Sequence, residues 1–249
     1  MSVVFEKTKG LADVKTHYCP GCSHGIVHRL LAECLEEMGE LDNAINVSPV
    51  GCAVLALDYF NFDGIQAAHG RAPATATGIK RVHPDKIVTT YQGDGDLASI
   101  GMCEIVHAAA RGEKITTIFI NNGIYGMTGG QMAPTTLPGM KATTAPYGRD
   151  VSINGYPIRV SEMLSTLDGA KYIERVSVDS PANVIKAKKA IRRALEVQKA
   201  GEGFSLVEVM CSCPTNWGKT PVDSMQFIRD EMIPYYPLGV YKDTTKEAK

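Results

Sequence analysis

Short β-branched runs alternate with helical stripes along this sequence, and that alternation restricts its fold more than any other feature. Ile87 to Tyr91 and Ile115 to Ile120 read as buried strands, with a helix from Leu97 to Arg111 between them. Tyr172 to Val178 is another strand. Ser180 and Pro181 then supply an N-cap and a first-turn proline for a helix reaching Lys199, whose apolar stripe is Val184, Ala187, Ile191 and Leu195. Phe204 to Val209 is the last clear strand. Nearer the start, His24 to Met38 carries one continuous apolar stripe that Gly39 stops. Ile45 to Val47 is a short strand, and Arg71 to Val82 is a helix of small residues with Pro73 in its first turn. Strands separated by helices predict an α/β fold, a mostly parallel sheet with helices on both faces. No repeat or Gly/Ser-rich linker divides the chain, so residues 1–249 are expected to form a single domain. Within it, the polar stretch 238–249 is expected to fray.

Composition removes some functions. With 26 basic and 27 acidic side chains there is no positive excess to neutralise phosphates, which argues against nucleic-acid binding. The apolar runs fall far short of a membrane span, and the first fifteen residues lack the apolar core of a signal peptide. A cytoplasmic protein with no membrane association is the expectation. Seven cysteines are many for a reducing compartment, and they point to metal or redox chemistry rather than disulfides.

Gly93, Asp94, Gly95 and Asp96 lie where a strand ends and a helix begins. Parallel sheets bind ligands at the carboxyl ends of their strands, where glycines let backbone N–H groups approach a phosphate. Asp94 would repel a bare phosphate, so the loop makes sense with a hard cation such as Mg²⁺ between the two. A second oxygen source is expected at the end of the next strand. Asn121, Asn122 and Gly123 stand there, with Asn122 placed 28 positions after Asp94. Either turn alone is common. Together they favour a cation–diphosphate site.

The cysteines pose a separate question. Cys19-Pro20-Gly21-Cys22 precedes the first helix, Cys52 follows Gly51, and Cys211 and Cys213 follow the last strand, with Pro214 next. Cys34 and Cys103 fall within helices and read as packing residues. A thioredoxin-like pair, a structural zinc with His17 or His24 as spare ligands, and a four-thiolate iron–sulfur cluster all fit this spacing. Spacing alone leaves zinc and iron–sulfur open.

The Gly93-Asp94-Gly95 loop followed by Asn121-Asn122 resembles the signature of thiamine-diphosphate enzymes. That resemblance implies Mg²⁺ held by Asp94, Asn122 and the carbonyl of Ile124. The cysteine set extends it, because a Cys-x-x-Cys, an isolated Cys and a late Cys-Pro beside that signature are similar to the β subunit of 2-oxoacid:ferredoxin oxidoreductases. Further matching segments are His17 to Cys22, His69-Gly70-Arg71-Ala72, Tyr125 to Gln131 and Cys213 to Trp217. The resemblance implies thiamine diphosphate, Mg²⁺ and one [4Fe-4S] cluster on Cys19, Cys22, Cys52 and Cys213, with Cys211 in reserve. It also implies cofactor contacts from Gly51, His69, Gly93, Asp94, Gly95, Asp96, Asn122, Ile124, Gly126, Met127 and Thr128. The implied reaction oxidatively decarboxylates a 2-oxoacid to acyl-CoA and CO₂, with electrons passing through the cluster to ferredoxin. Companion α- or γ-type subunits would complete the site and supply its activating glutamate, so the chain alone should be inactive.

His69, Arg71 and Thr128 are the catalytic candidates within the chain. His69 and Arg71 precede a helix of small residues and could reach a diphosphate or a substrate carboxylate, or simply cap that helix. Thr128 and Gln131 sit in the long aperiodic stretch from Asn121 to Pro157, where function is expected. His24 and His28 share a helix face, and Glu104 reads as structural. Ala53, Val54 and Leu55 replace the hydroxyl and basic residues that many relatives carry after this cysteine. That tilts the substrate toward a branched aliphatic 2-oxoacid over a dicarboxylate, with a 2-oxoisovalerate-like acid and 2-oxoglutarate both kept, and the same three residues also read as helix core. Two rivals stand beside this reading: a non-redox thiamine-diphosphate decarboxylase, and a zinc-stapled interaction subunit whose glycine loops are only turns.

Overall fold

The structure, a computed structural model, describes residues 6–245. Its strands are β1 (Ala44–Ser48), β2 (Asp63–Gln66), β3 (Ile87–Gly93), β4 (Thr116–Asn121), β5 (Ile124–Tyr125), β6 (Gln131–Met132), β7 (Ala170–Ser177), β8 (Phe204–Met210) and β9 (Gly239–Asp243). Seven of them make one sheet in the order β2-β1-β3-β4-β8-β7-β9. Every pair in it is parallel except β7 with β9. The β5–β6 pair is a small antiparallel hairpin above the ends of β3 and β4.

Strands buried on both faces send alternate side chains to opposite cores. On β4, Ile118 and Ile120 pack with Leu31, Leu35, Ile191 and Leu195, beneath helices His24–Glu37 and Pro181–Lys199. Phe119, between them, packs with Ile105, Leu97 and Leu164, beneath helices Ala72–Val82, Met102–Arg111 and Val160–Ser165. Ser180 caps the helix Pro181–Lys199 as its sequence promised, accepting from the Asn183 N–H. No helix among the described residues is long and apolar enough to cross a membrane.

Three elements depart from expectation. The helix from Leu97 begins instead as a wide π-turn at Asp96–Ile100, and the α-helix starts at Met102 after Gly101. The cause is close packing. A Cβ on Gly70 would lie 2.7 Å from the Gly101 nitrogen, so this turn fits against the loop before helix Ala72–Val82 only without side chains. Strand β2 is exposed along its length and carries no apolar alternation to reveal it. Lastly, the stretch 238–249 does not simply fray. Gly239–Asp243 pairs with β7 as an antiparallel edge, and residues 246–249 lie outside the described set.

A buried ionic cluster ties the carboxyl half of the sheet together. Arg175 on β7 and Glu208 on β8 are both fully buried and bonded at 2.9 Å. Arg175 also reaches Glu162 at 2.5 Å and the hydroxyl of Tyr241 on β9. Glu208 accepts from Asn121 Nδ2 at 2.7 Å and from Ser161 Oγ at 2.5 Å. Removing one partner strands the other charge in an apolar medium. Arg175→Met is therefore expected to destabilise the chain by about 3–5 kcal/mol in denaturant unfolding. Arg175→Met with Glu208→Gln should recover more than half of that loss.

Candidate functional site

The carboxyl ends of β1, β3 and β4 open onto one cleft of about 100 Å³. Its walls are Val50 to Ala53 after β1, Gly93 to Asp96 after β3, Asn122 and Ile124 to Thr128 after β4, together with His24 and His69. A cleft that buries a whole cofactor measures roughly 300–1,000 Å³. This one is smaller than that.

Asp94 sits at its floor, 2 % exposed. Its Oδ1 accepts from the Gly95 N–H at 2.8 Å, and its Oδ2 accepts from Gly123 N and Thr135 Oγ1, each at 2.6 Å. Burial raises its pKa to about 6, against the downward pull of Thr135, Gly95, Gly123 and Asn122. All of these donors are neutral, so the carboxylate lacks a positive partner. Beside it, the Asn122 side chain accepts from Ile124 N at 3.1 Å, and its carbonyl accepts from Trp217 Nε1 at 3.1 Å. Asn121 turns away from the cleft to Glu208. The loop demands glycine at Gly95, where a Cβ would lie 2.3 Å from the Tyr125 ring.

Asp96 and His69 form a second unit. Asp96 accepts from His69 Nδ1 at 2.5 Å, Gly70 N at 2.6 Å and Gln92 Nε2 at 2.7 Å, so its own carboxylate is fully engaged. His69 lines the cleft. Arg71 is not on this wall: its guanidinium pairs with Glu104 and donates to the Ile100 carbonyl. Thr128 borders the cleft, but its hydroxyl donates to Gln131 Oε1 at 2.5 Å and Gln131 Nε2 returns a bond to the Thr128 carbonyl. These two side chains brace their own loop.

The cysteine segments are stapled to each other. Ser212 Oγ donates to the Gly21 carbonyl at 2.7 Å, and the Ser212 N–H donates to Ser23 Oγ at 3.0 Å. The Tyr18 hydroxyl donates to the Cys52 carbonyl at 3.0 Å. Gly21 presses on Pro221, where a Cβ would lie 2.5 Å from that ring. Cys19, Cys22, Cys52 and Cys213 are brought together, and a Cβ added to Gly126 would meet Cys52 Sγ at 3.2 Å and Cys213 Sγ at 3.6 Å. Burial, reinforced by the neighbouring thiols, pushes Cys22 up to about 12 and Cys52 up to about 11. Cys19 and Cys22 lie within electrostatic reach of Cys52 and Cys213, yet among the described residues no three His, Cys, Asp or Glu side chains form a group that could hold a single metal ion. Cys211 differs from them, fully packed among core residues under helix His24–Glu37.

His24 and His28 are not on a solvent face. Both are buried against Tyr18, Tyr91 and Phe60, and burial lowers His24 to about 4. His17 bonds Tyr59 at 2.8 Å. Sequence reasoning missed Thr135, Val50 and the Ser23–Ser212 staple. No periodicity or motif marks a lone hydroxyl in a long loop.

The Asp94 environment gives a pH dependence. Its folded pKa lies above the ordinary value of about 3.9, so its contribution to metal-free stability is complete below about pH 4 and is lost as pH rises through about 6. Thr135→Val removes one donor to the carboxylate and should move this transition up by about one pH unit, read by ¹³C NMR of labelled aspartate in metal-free chain.

Residues 49–209 match the C-terminal thiamine-pyrophosphate-binding domain of thiamine pyrophosphate enzymes. The ketoisovalerate oxidoreductase subunit VorA of Methanothermobacter thermautotrophicus is 48 % identical over 246 residues, covering 99 % of this chain and 52 % of that protein. This chain thus spans about half the length of that relative. The 2-oxoglutarate synthase subunit KorB of Methanocaldococcus jannaschii is 38 % identical over 92 % of this chain and 82 % of its own length. Among solved structures, the 2-oxoglutarate:ferredoxin oxidoreductase from Magnetococcus marinus, with 2-oxoglutarate, coenzyme A and succinyl-CoA bound, superposes with a TM-score of 0.79 at 27 % identity, over 98 % of this chain and 89 % of that one. With this fold, this loop pair at its strand ends and these relatives, the chain belongs to the thiamine-diphosphate-binding subunits of the 2-oxoacid:ferredoxin oxidoreductases.

Proposed function

We propose that this chain carries the thiamine diphosphate and the [4Fe-4S] cluster of a cytoplasmic 2-oxoacid:ferredoxin oxidoreductase, which converts a 2-oxoacid and coenzyme A to acyl-CoA and CO₂. One observation carries the reading: Cys52 lines the same cleft as Asp94 and Asn122, so the thiol set and the cation–diphosphate loops share a wall.

The residues fit the groups they would hold. Asp94 is a buried carboxylate with only neutral donors and a raised pKa, the condition that a cation relieves. Asn122 and the Ile124 carbonyl complete an oxygen set suited to Mg²⁺, and the backbone of Gly93 to Gly95 leaves room for a diphosphate. Gly126 leaves bare the space that Cys52 and Cys213 face, and a side chain there would crowd both sulfurs. Cys213 therefore suits the fourth ligand position better than Cys211, which the core has absorbed. When bound, thiamine diphosphate supplies the electron sink that a 2-oxoacid needs to lose CO₂, and a cluster takes the electrons singly toward ferredoxin.

The chain's own side chains also bear on substrate. Val50, Ala53 and Met127 border the cleft, and among the described residues no lysine or arginine does. A second carboxylate on the substrate would find no cation on these walls, and burying it unpaired is costly. A branched aliphatic 2-oxoacid, 2-oxoisovalerate above 2-oxoglutarate, fits better. The small cleft leaves the rest of the cofactor and its activating glutamate to companion subunits.

Asp94→Asn should weaken Mg²⁺-dependent thiamine diphosphate binding at least tenfold by calorimetry, with the fold intact by circular dichroism. For the cluster, Cys213→Ser should strip iron and sulfide from the anaerobically purified complex, whereas Cys211→Ser should keep both. Wild-type complex should show broad absorption that bleaches on adding 2-oxoisovalerate. A colourless, zinc-only preparation would discard the redox reading.

A further inference from the structure

We infer that Asp96 is the positioning residue for His69, fixing the imidazole so that Nε2 is the proton-accepting nitrogen at the cleft; this rests on the reading of the cleft given above. Asp96 is 3 % exposed and accepts three bonds, from His69 Nδ1, Gly70 N and Gln92 Nε2. A carboxylate only accepts, so the proton between Asp96 and His69 belongs to Nδ1. Nε2 is then the lone-pair nitrogen of the neutral ring. No hydrogen-bond partner holds it among the described residues, and the side chain is about one-third open (34 %) on the cleft wall.

The backbone beneath the ring is equally constrained. Gly70 and Gly101 interlock so tightly that a Cβ on either would lie within 3.0 Å of the other's backbone. The π-turn at Asp96–Ile100 is what delivers the carboxylate under this loop. Such an Asp–His pair holds one tautomer and stabilises the imidazolium when the far nitrogen gains a proton. Other groups on the wall are committed elsewhere: His24 Nδ1 bonds the Tyr91 hydroxyl at 2.8 Å, and Asp94 is the cation's carboxylate.

The proposed reaction needs such a group. A 2-oxoacid and a thiol become a thioester and CO₂: one C–C bond and the S–H bond break, and a C–S bond forms. Two electrons leave for ferredoxin and one proton is released, the thiol's. His69 Nε2 is the site in this chain that can take that proton, with Asp96 remaining a carboxylate throughout.

The test uses the full chain labelled with ¹⁵N-histidine, and then the holo-complex. In wild type the neutral His69 ring should carry its proton on Nδ1, and Asp96→Ala should shift it toward Nε2. In the complex, Asp96→Ala and His69→Asn should each lower thioester formation about a hundredfold. The double variant should be no slower than His69→Asn alone. Thioester formation should fall further than the rate of bleaching by 2-oxoacid without coenzyme A, because only the first consumes the thiol. A wild-type ring protonated on Nε2, or losses that multiply in the double variant, would overturn the assignment. If Asp96→Ala does not fold, the wild-type tautomer and His69→Asn still decide. Failure of wild type to bind thiamine diphosphate would sink the functional reading instead, and the tautomer would report on the pair independently.

Discussion

Two buried carboxylates at the end of β3 hold this site together. Asp94 and Asp96 are both almost wholly withdrawn from solvent, and each accepts hydrogen bonds from distant parts of the chain. Asp94 gathers Gly123 from the β4 turn and Thr135 from the long loop beyond it. Asp96 gathers His69 and Gly70 from the loop after β2. Unscreened negative charge is expensive in such a place, and several charge-assisted bonds are needed to hold it. That requirement draws three segments of chain onto one strand end, and the cleft is the space left between them.

The next layer down is ionic as well. Asn121, the neighbour of the proposed ligand Asn122, bonds Glu208, and Glu208 in turn bonds Arg175 and Ser161. The asparagine turn is therefore aimed from below by a buried charge cluster reaching β7, β8 and β9. Two adjacent asparagines have divided the work: one bonds downward into the core, and the other stands at the cleft. A pair of identical residues in sequence thus plays two different parts, decided by the pleat that sends neighbours to opposite sides.

Much of this was legible beforehand, for physical reasons. The doubly buried strands announce themselves because both faces demand apolar side chains, and Gly93-Asp94-Gly95 stands out because glycines flanking a carboxylate mark a turn at a strand end. Arg71 misled because its distance from the cleft depends on Glu104, a pairing 33 positions away that no local pattern encodes. The π-turn at Asp96–Ile100 was hidden for the same reason, since its cause is the contact between Gly70 and Gly101. Edge strands β2 and β9 were hidden because exposed strands need no alternation. Thr135 was invisible: a single hydroxyl reaching back 41 positions leaves no trace in composition or period.

The thiols add a constraint on how the site is assembled. Burial and mutual repulsion hold Cys22 and Cys52 protonated at neutral pH in the metal-free chain. A protonated thiol is a poor nucleophile, so burial makes these residues resist oxidation. On the proposed cluster reading, iron would have to expel their protons, which would couple its insertion to pH and to the packing that buries them. That packing is the Ser23–Ser212 staple, the Tyr18 bond to Cys52 and the contact of Gly21 with Pro221. Each of these joins the start of the chain to a distant segment: the loop after β1, or the region after β8. The placing of the cysteine segments therefore depends on β1 and β8 being in the sheet, because the contacts that hold those segments run to the loops beyond these two strands.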